Sequence, residues 1–119
     1  MQESSKEAVV KGRTVQVQQR VLLRRDGRRE LREMVVHPGS VVVLPLLEDG
    51  RIVMIRNRRF TIESTLLELC AGTREVGQGG EPEDLAGCAA RELEEETGYR
   101  ASVLEPLLSF YPSPGMSNE

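Results

Sequence analysis

The chain has 119 residues, of which 39% are hydrophobic, 3% are aromatic and 29% are charged, and its formal net charge is −3. This length predicts one domain with a modest, mainly aliphatic core. No apolar run approaches the ~20 residues of a membrane span, and the polar start lacks a signal-peptide core, so we expect a cytoplasmic protein with no membrane partner. Cys70 and Cys88 lack metal-ligand spacing and are expected to be reduced and largely buried.

The charges are distributed unevenly along the chain. Residues 1–60 contain 13 Lys and Arg against 7 Asp and Glu, whereas residues 61–119 contain 3 against 12. No aromatic stacking platform accompanies the basic residues, so nucleic acid is not expected as a partner. The asymmetry favours basic strands that face an acidic helix and an anionic substrate.

The N-terminal third predicts a frayed start followed by a hairpin. Residues 1–11 are polar with little pattern and are expected to be frayed. Residues 14–25 and 28–37 are β-like runs on either side of Asp26-Gly27, which is a strong hairpin signal. The chain is then expected to break at His37-Pro38-Gly39, so we place a boundary after residue 39.

Three further strands are predicted from apolar runs. Residues 41–47 are continuously apolar, as in a strand covered on both faces, and residues 51–56 return after a turn at Glu48-Asp49-Gly50. This pair is expected near the centre of the sheet. Residues 101–110 resume an apolar pattern that is consistent with another strand.

Residues 82–97 predict one helix, with Pro82 at its first position and Gly98 at its end. Small or apolar side chains share one face of it: Ala86, Ala89, Ala90, Leu93 and Thr97. Glu92, Glu95 and Glu96 lie at i, i+3 and i+4 on another face, where clustered carboxylate oxygens suit Mg²⁺ or Mn²⁺. For such a run taken alone, a solvated acidic face is the alternative interpretation.

The spacing around this helix resembles the signature of the Nudix hydrolases. Gly77 is followed after five residues by Glu83 and after seven more by Arg91-Glu92-Leu93-x-Glu95-Glu96-x-Gly98-Tyr99. The resemblance implies an α/β fold, a Nudix-type α/β/α sandwich with a mixed β-sheet, in which a loop-helix-loop holds divalent metal against a diphosphate.

The same resemblance implies roles for the acidic helix. Glu92, Glu95 and Glu96 are carried over as catalytic residues and metal ligands. Arg91 is carried over as the catalytic-site residue that orients a carboxylate, and Glu83 as a brace for the loop. The implied cofactor is Mg²⁺, with Mn²⁺ as the alternative.

Residues 55–72 resemble the ADP-ribose pyrophosphatases of this family, whose patterns are R-Q-x-R and E-L-P-A-G. The resemblance carries substrate binding onto Arg56, Arg59 and Glu68, and metal coordination onto the carbonyl of Ala71. After the helix, S-P-G resembles a segment that helps define substrate choice, which adds Pro114 to the substrate-binding set. Asn57 stands where glutamine is usual, and Cys70 where proline is usual.

The implied function is Mg²⁺-dependent hydrolysis of ADP-ribose or a related nucleoside diphosphate sugar. The alternatives are a catalytically silent module that binds a nucleotide sugar or a protein partner, and a Nudix hydrolase of another nucleoside diphosphate derivative. The resemblance also implies a homodimer, with residues 1–39 as the dimerisation element and 40–119 as the hydrolase core. Because family members continue beyond the position of Glu119, we expect either a fragment or a fold completed by a partner chain.

Overall fold

A computed structural model describes the backbone of residues 2–119 and the side chains of residues 9–119. The elements in chain order are β1 Gln2–Lys11, β2 Gln16–Leu23, β3 Arg29–Val36, β4 Ser40–Val43, β5 Ile55–Arg59, β6 Ser64–Glu68, β7 Cys70–Thr73 and α1 Leu85–Thr97. In the described backbone the strands form three sheets, β1-β2-β3, β4-β7 and β5-β6. Residues 1–39 with 108–119 make one compact unit, and residues 40–107 make another.

The first unit contains the hairpin that Asp26-Gly27 predicted. Strands β2 and β3 are antiparallel, with Leu23 opposite Arg29, and Gly27 takes a φ of 82° in the turn. This conformation is open to glycine because it has no Cβ. The hairpin prediction is therefore confirmed.

The expectation of a frayed N-terminus is wrong, because β1 pairs with β2 from Gln2 opposite Leu23 to Lys11 opposite Gln16. Backbone hydrogen bonding along an open strand edge does not require an apolar side-chain pattern, so the polar composition of this segment concealed the strand. The C-terminal residues of the same unit contact β3, where the Val35 N–H donates to the Met116 carbonyl at 2.7 Å.

In the second unit, the expected pairing of residues 41–47 with 51–56 is reduced to one bridge. Strand β4 pairs with β7, placing Val43 opposite Cys70, whereas residues 51–56 meet the preceding segment only at an isolated bridge between Leu46 and Ile52. Pro45 follows the end of β4 and has no N–H to donate, which ends the ladder there.

The strand expected at residues 101–110 is also absent from the described backbone, where these residues have no strand pairing. Its apolar side chains are open to solvent; Leu107 and Leu108 are each 74% exposed. Pro106 removes a donor from the middle of the run. An apolar pattern becomes a strand only where a neighbour supplies backbone partners.

Helix α1 begins at Leu85, so the predicted start at Pro82 is corrected. Asp84 is its N-cap, and the carboxylate accepts from the Gly87 N–H at 3.0 Å. Since this cap satisfies an N-terminal donor, the helix starts after it. The predicted end is confirmed, with Gly98 at a φ of 76°.

The helix packs on β4 and β7 through a small core. Val43, Cys70 and Leu93 are buried together, and Ala89 packs against them. Cys70 and Cys88 are both free and buried, as expected. Ala86 and Ala90 are exposed, so only part of the predicted face of small and apolar side chains, Ala89 and Leu93, contributes to this core.

The α/β fold class is confirmed. Within the described residues, no helix combines the length and the apolar character that crossing a membrane needs.

Candidate active site

A short loop delivers an acidic side chain to the start of α1. Val76 and Pro82 form an antiparallel bridge, and between them the Gly77 N–H donates to the Glu81 carbonyl at 2.7 Å. Just outside the bridge, the Glu83 N–H donates to the Glu75 carbonyl at 2.7 Å. The two arms of the loop are therefore joined, and Glu83 is held beside the helix.

Arg91 is the centre of the site. Its Nε donates to Glu83 Oε2 at 2.9 Å and its Nη2 to Glu83 Oε1 at 2.8 Å, which makes a bidentate pair. Its Nη1 donates to Glu92 Oε1 at 2.9 Å and to Glu95 Oε2 at 3.2 Å. We call Arg91 with Glu83, Glu92 and Glu95 the Arg91 cluster. One guanidinium thus connects the loop to two of the three predicted catalytic glutamates.

The charges of this cluster support one another. The hydrogen bond from Arg91 lowers the pKa of Glu83 to about 2, and the same bond raises the pKa of Arg91. Glu83 therefore stays ionised through the ordinary pH range. This agrees with the bracing role that the sequence analysis assigned to it.

Glu92 lies against Gly72, where an added side chain would force the Glu92 carboxylate to shift. A Cβ added to Gly72 would overlap the carboxyl carbon and Oε1 of Glu92, whose side chain is 13% exposed. Because Gly72 has no side chain, there is room for this carboxylate next to Arg91.

Glu96 reaches the free edge of β7. Its Oε2 accepts from the Ala71 N–H at 3.2 Å. Because the N–H and C=O of one residue in an antiparallel strand point to the same side, the Ala71 carbonyl also faces away from its β4 partner Val42, towards the helix. Two of the four predicted metal ligands, Ala71 and Glu96, are therefore adjacent.

The oxygen atoms of these carboxylates and of the Ala71 carbonyl fit a divalent cation such as Mg²⁺ or Mn²⁺, because carboxylate and carbonyl oxygens are the ligands that such ions prefer. Among residues 9–119, no three acidic, Cys or His side chains already converge as a metal site. The contacts above give the reason, since Glu92 and Glu95 are turned to Arg91 and Glu96 to the strand backbone.

Cys70, which stands where proline is usual, is not a nucleophile in this site. Burial raises the pKa of its thiol to about 12, and the Glu96 carboxylate adds to the shift. The thiol is therefore protonated at neutral pH and acts as a packing residue.

Arg59 and Glu68 form a second ion pair on the β5-β6 sheet. Arg59 Nε donates to Glu68 Oε2 at 2.8 Å and Nη2 donates to Oε1 at 2.6 Å. Glu96 is near enough for its charge to contribute to the raised pKa of Arg59, after the larger effect of Glu68. The structure thus brings Arg59 within electrostatic reach of one predicted metal ligand, Glu96.

Arg56 is not placed with Arg59. The β5-β6 register runs without interruption, so residues three apart on β5 point to opposite faces. Arg59 shares its face with Asn57, whereas Arg56 shares the other with Arg58. Pro114 belongs to the first unit, where it lies exposed in a turn.

Two contributors to the site were missed by sequence reasoning. Glu75 Oε1 lies 3.6 Å from Arg91 Nη1, and Gly72 makes room for Glu92. Glu75 lies outside the motif spacing, and the loop closure that brings it to Arg91 depends on contacts between distant residues. Gly72 was matched to a motif, but its contact with Glu92 arises only when α1 packs on β7.

Several known proteins are similar to this chain in sequence. Residues 36–119 match the NUDIX domain family. The chain is similar to the ADP-ribose pyrophosphatase of Bacillus subtilis (strain 168), at 39% identity over 115 residues, covering 97% of this chain and 60% of the relative. It is also similar to the methanol dehydrogenase activator of Bacillus methanolicus, at 39% identity over 113 residues, covering 95% and 58%.

A solved structure shares the fold. The crystal structure of an ADP compounds hydrolase matches with a TM-score of 0.77 and 25% identity, covering 98% of this chain and 60% of that one. The chain spans less than two thirds of the length of these relatives. With more than half of its residues matching the NUDIX domain, and with the motif arginine and glutamates assembled around one helix, the chain belongs to the Nudix family.

Proposed function

We propose that this chain hydrolyses the diphosphate bond of ADP-ribose or of a related nucleoside diphosphate sugar, with Mg²⁺ as the cofactor. The products are a nucleoside monophosphate and a sugar phosphate. Support for the substrate class comes from the ADP-ribose pyrophosphatase of Bacillus subtilis and from the ADP compounds hydrolase that shares the fold.

The observation that carries the proposal is the arrangement of carboxylates on α1. Arg91 holds Glu92 and Glu95 on one side, and Glu96 lies beside the free edge of β7 at Ala71. Carboxylates three and four residues apart on a helix repel one another unless a cation compensates. Arg91 supplies part of that compensation, and a divalent cation would supply the rest.

Each residue has a role in the proposed reaction. Glu92, Glu96 and the Ala71 carbonyl would hold the metal, which when bound would neutralise charge on the diphosphate and make a water molecule more acidic. Glu95, whose side chain is 58% exposed, takes part in metal binding or accepts the proton of the attacking water. The water oxygen forms a bond to one phosphorus, and the bridging P–O bond breaks with its electron pair on the departing phosphate.

Substrate recognition is assigned to the second ion pair and its surroundings. Arg59 lies near the diphosphate, with Glu68 beside it. Substrate binding by Arg56 and by Pro114 stays a prediction from the sequence. We propose a cytoplasmic homodimer in which residues 1–39 form the dimer contact. Light scattering that shows only monomer at high concentration would refute the dimer.

The test is AMP release from ADP-ribose, with and without Mg²⁺, in the wild type and in Glu96→Gln. We expect metal-dependent release that falls by about 100-fold or more in the variant, because loss of an outer partner of a metal ligand already costs 10–100-fold. Glu94→Gln is the matched control, since Glu94 lies on the same helix turn and, among the side chains of residues 9–119, forms an ion pair only with Arg100, at 2.9 Å.

Three results would change the assignment. Turnover of Glu96→Gln equal to the control at saturating metal would contradict the role of Glu96. A rise in melting temperature with ADP-ribose but no AMP would favour a silent binding module. Release of product from another nucleoside diphosphate derivative alone would retain the chemistry and change the substrate.

A further inference from the structure

On the face of the β5-β6 sheet that carries Arg59, three polar side chains form a chain of hydrogen bonds. Arg59 donates twice to Glu68, and Asn57 Nδ2 donates to Glu68 Oε1 at 3.3 Å. Asn57 and Arg59 are two residues apart on β5, and Glu68 is opposite Ile55 on β6, so the alternation of the strand places all three on one face. We call them the Arg59 triad.

The two bonds from Arg59 use only one edge of its guanidinium. Nε and Nη2 point at Glu68, and each gives one N–H to it. A guanidinium has five N–H donors, so both hydrogens of Nη1 and one of Nη2 are left over. Among the described residues, no hydrogen-bond acceptor for Nη1 is found. Arg59 is therefore held in one orientation with a second donor edge still open.

Glu68, by contrast, has little capacity left for a ligand. Its Oε1 accepts from both Arg59 and Asn57, its Oε2 accepts from Arg59, and its side chain is only 17% exposed while that of Arg59 is 47% exposed. An ionised carboxylate also repels a diphosphate. Of the two partners, Arg59 is the one suited to touch an anionic substrate.

We propose that Glu68 is a positioning residue that acts through Arg59, and that Asn57 in turn holds Glu68, so that the open edge of Arg59 faces the diphosphate. This inference rests on the proposed function. It changes the role of Glu68 from direct substrate contact, as expected from the sequence, to control of a neighbouring guanidinium. Because a bidentate carboxylate restricts the arginine rotamers before substrate arrives, the ordering cost is met during folding.

The test is a double-mutant cycle on ADP-ribose hydrolysis and binding with four proteins: wild type, Glu68→Gln, Arg59→Lys and the double variant. Loss of a partner that orients a binding group should raise KM by about tenfold, with a smaller change in kcat, for Glu68→Gln. If Glu68 acts only through Arg59, the double variant should be no worse than Arg59→Lys alone. Arg58→Lys and Glu105→Gln are the controls, because both side chains are exposed and neither belongs to the triad.

Additive losses in the cycle, in an active wild type, would overturn this inference alone, because they would show that Glu68 acts independently of Arg59. An unchanged KM in Glu68→Gln would also overturn the inference that Glu68 positions Arg59. A wild type that neither binds nor cleaves ADP-ribose would overturn the proposed function together with the inference.

A measurement without substrate covers the case in which Glu68→Gln does not fold. In the wild type, the Arg59 Nε–H should give a separate, slowly exchanging nuclear magnetic resonance signal, assigned by its loss in Arg59→Lys. In Asn57→Ala, that signal should exchange faster. A wild-type Arg59 Nε–H that exchanges as fast as that of Arg58 would refute the held orientation.

Discussion

Arg91 and Arg59 each form a bidentate ion pair with one glutamate. The two guanidiniums differ in the acceptors available to their remaining N–H groups. Arg91 uses Nε and Nη2 on Glu83, and its Nη1 then donates to Glu92 and Glu95. Arg59 uses Nε and Nη2 on Glu68, and its Nη1 has no such acceptor among the described residues. The side chains are 25% and 47% exposed, respectively.

The difference separates a structural arginine from one that can bind a ligand. An arginine surrounded by acceptors from its own chain fixes those acceptors in place and has nothing left to offer a substrate. An arginine with one occupied edge is oriented and still able to bind. Identity and charge are the same in both, so the number of local acceptors decides the role.

The largest effect should follow from breaking the Arg91 cluster at its centre. In Arg91→Lys, one ammonium replaces a planar fork and cannot reach three carboxylates at once, so ADP-ribose turnover should fall by about 10- to 100-fold. Steady-state kinetics with ADP-ribose and Mg²⁺ would measure this. Arg100→Lys is the matched control, because Arg100 is 80% exposed and Glu94 is its one ion-pair partner in the part of the chain whose side chains are described. Equal turnover in the two variants would contradict the organising role of Arg91.

A smaller effect, on folding stability, should follow from adding a side chain at Gly72 on β7, next to the Arg91 cluster. Gly72→Ala places a Cβ where the Glu92 carboxylate lies, so that the end of this side chain has to shift and its hydrogen bond with Arg91 is weakened, which should cost about 1 kcal/mol of folding free energy. Chemical denaturation would measure the loss. Gly115→Ala should be close to neutral, because an added Cβ there meets no atom within 4 Å. If Gly72→Ala is as stable as Gly115→Ala, Glu92 does not occupy this position in solution.

The smallest effect should be a loss of stability as the pH falls into the acid range. The pKa of Glu83 is about 2 in the folded chain against an ordinary value of 4.5, lowered by the hydrogen bond from Arg91. A depressed pKa means that the unfolded state binds more protons, so the stability from this pair is present above pH 4.5 and is lost as the pH falls towards 2. Melting temperatures measured across this range should converge for the wild type and Glu83→Gln. A constant gap between them would refute the prediction.

Much of the candidate site was predictable because it is local. The spacing from Gly77 to Tyr99 predicted the helix, its end at Gly98 and a set of glutamates on one side, since these depend on the 3.6-residue period and on the conformational freedom of glycine. The hairpin at Asp26-Gly27 was predictable for the same reason. In both cases the signal and the structure lie within a few residues of each other.

The errors occurred where a partner at a distance decides the outcome. Residues 101–110 have the apolar pattern of a strand but no strand pairing, whereas residues 2–11 have little pattern and pair along β2. Strand β4 was expected to pair with residues 51–56 and pairs instead with β7. A strand needs a neighbour for its backbone groups, and a local pattern does not identify that neighbour.

The sequence by itself determined the family, the acidic helix and the residue types that can bind metal and diphosphate, because motif spacing and helical periodicity are properties of a short segment. Only the tertiary structure decided which arginine each glutamate meets, that Arg56 and Arg59 lie on opposite faces of β5, and that Gly72 makes room for Glu92. Those contacts depend on strand register and on the packing of α1 against β7, which join residues far apart in the chain.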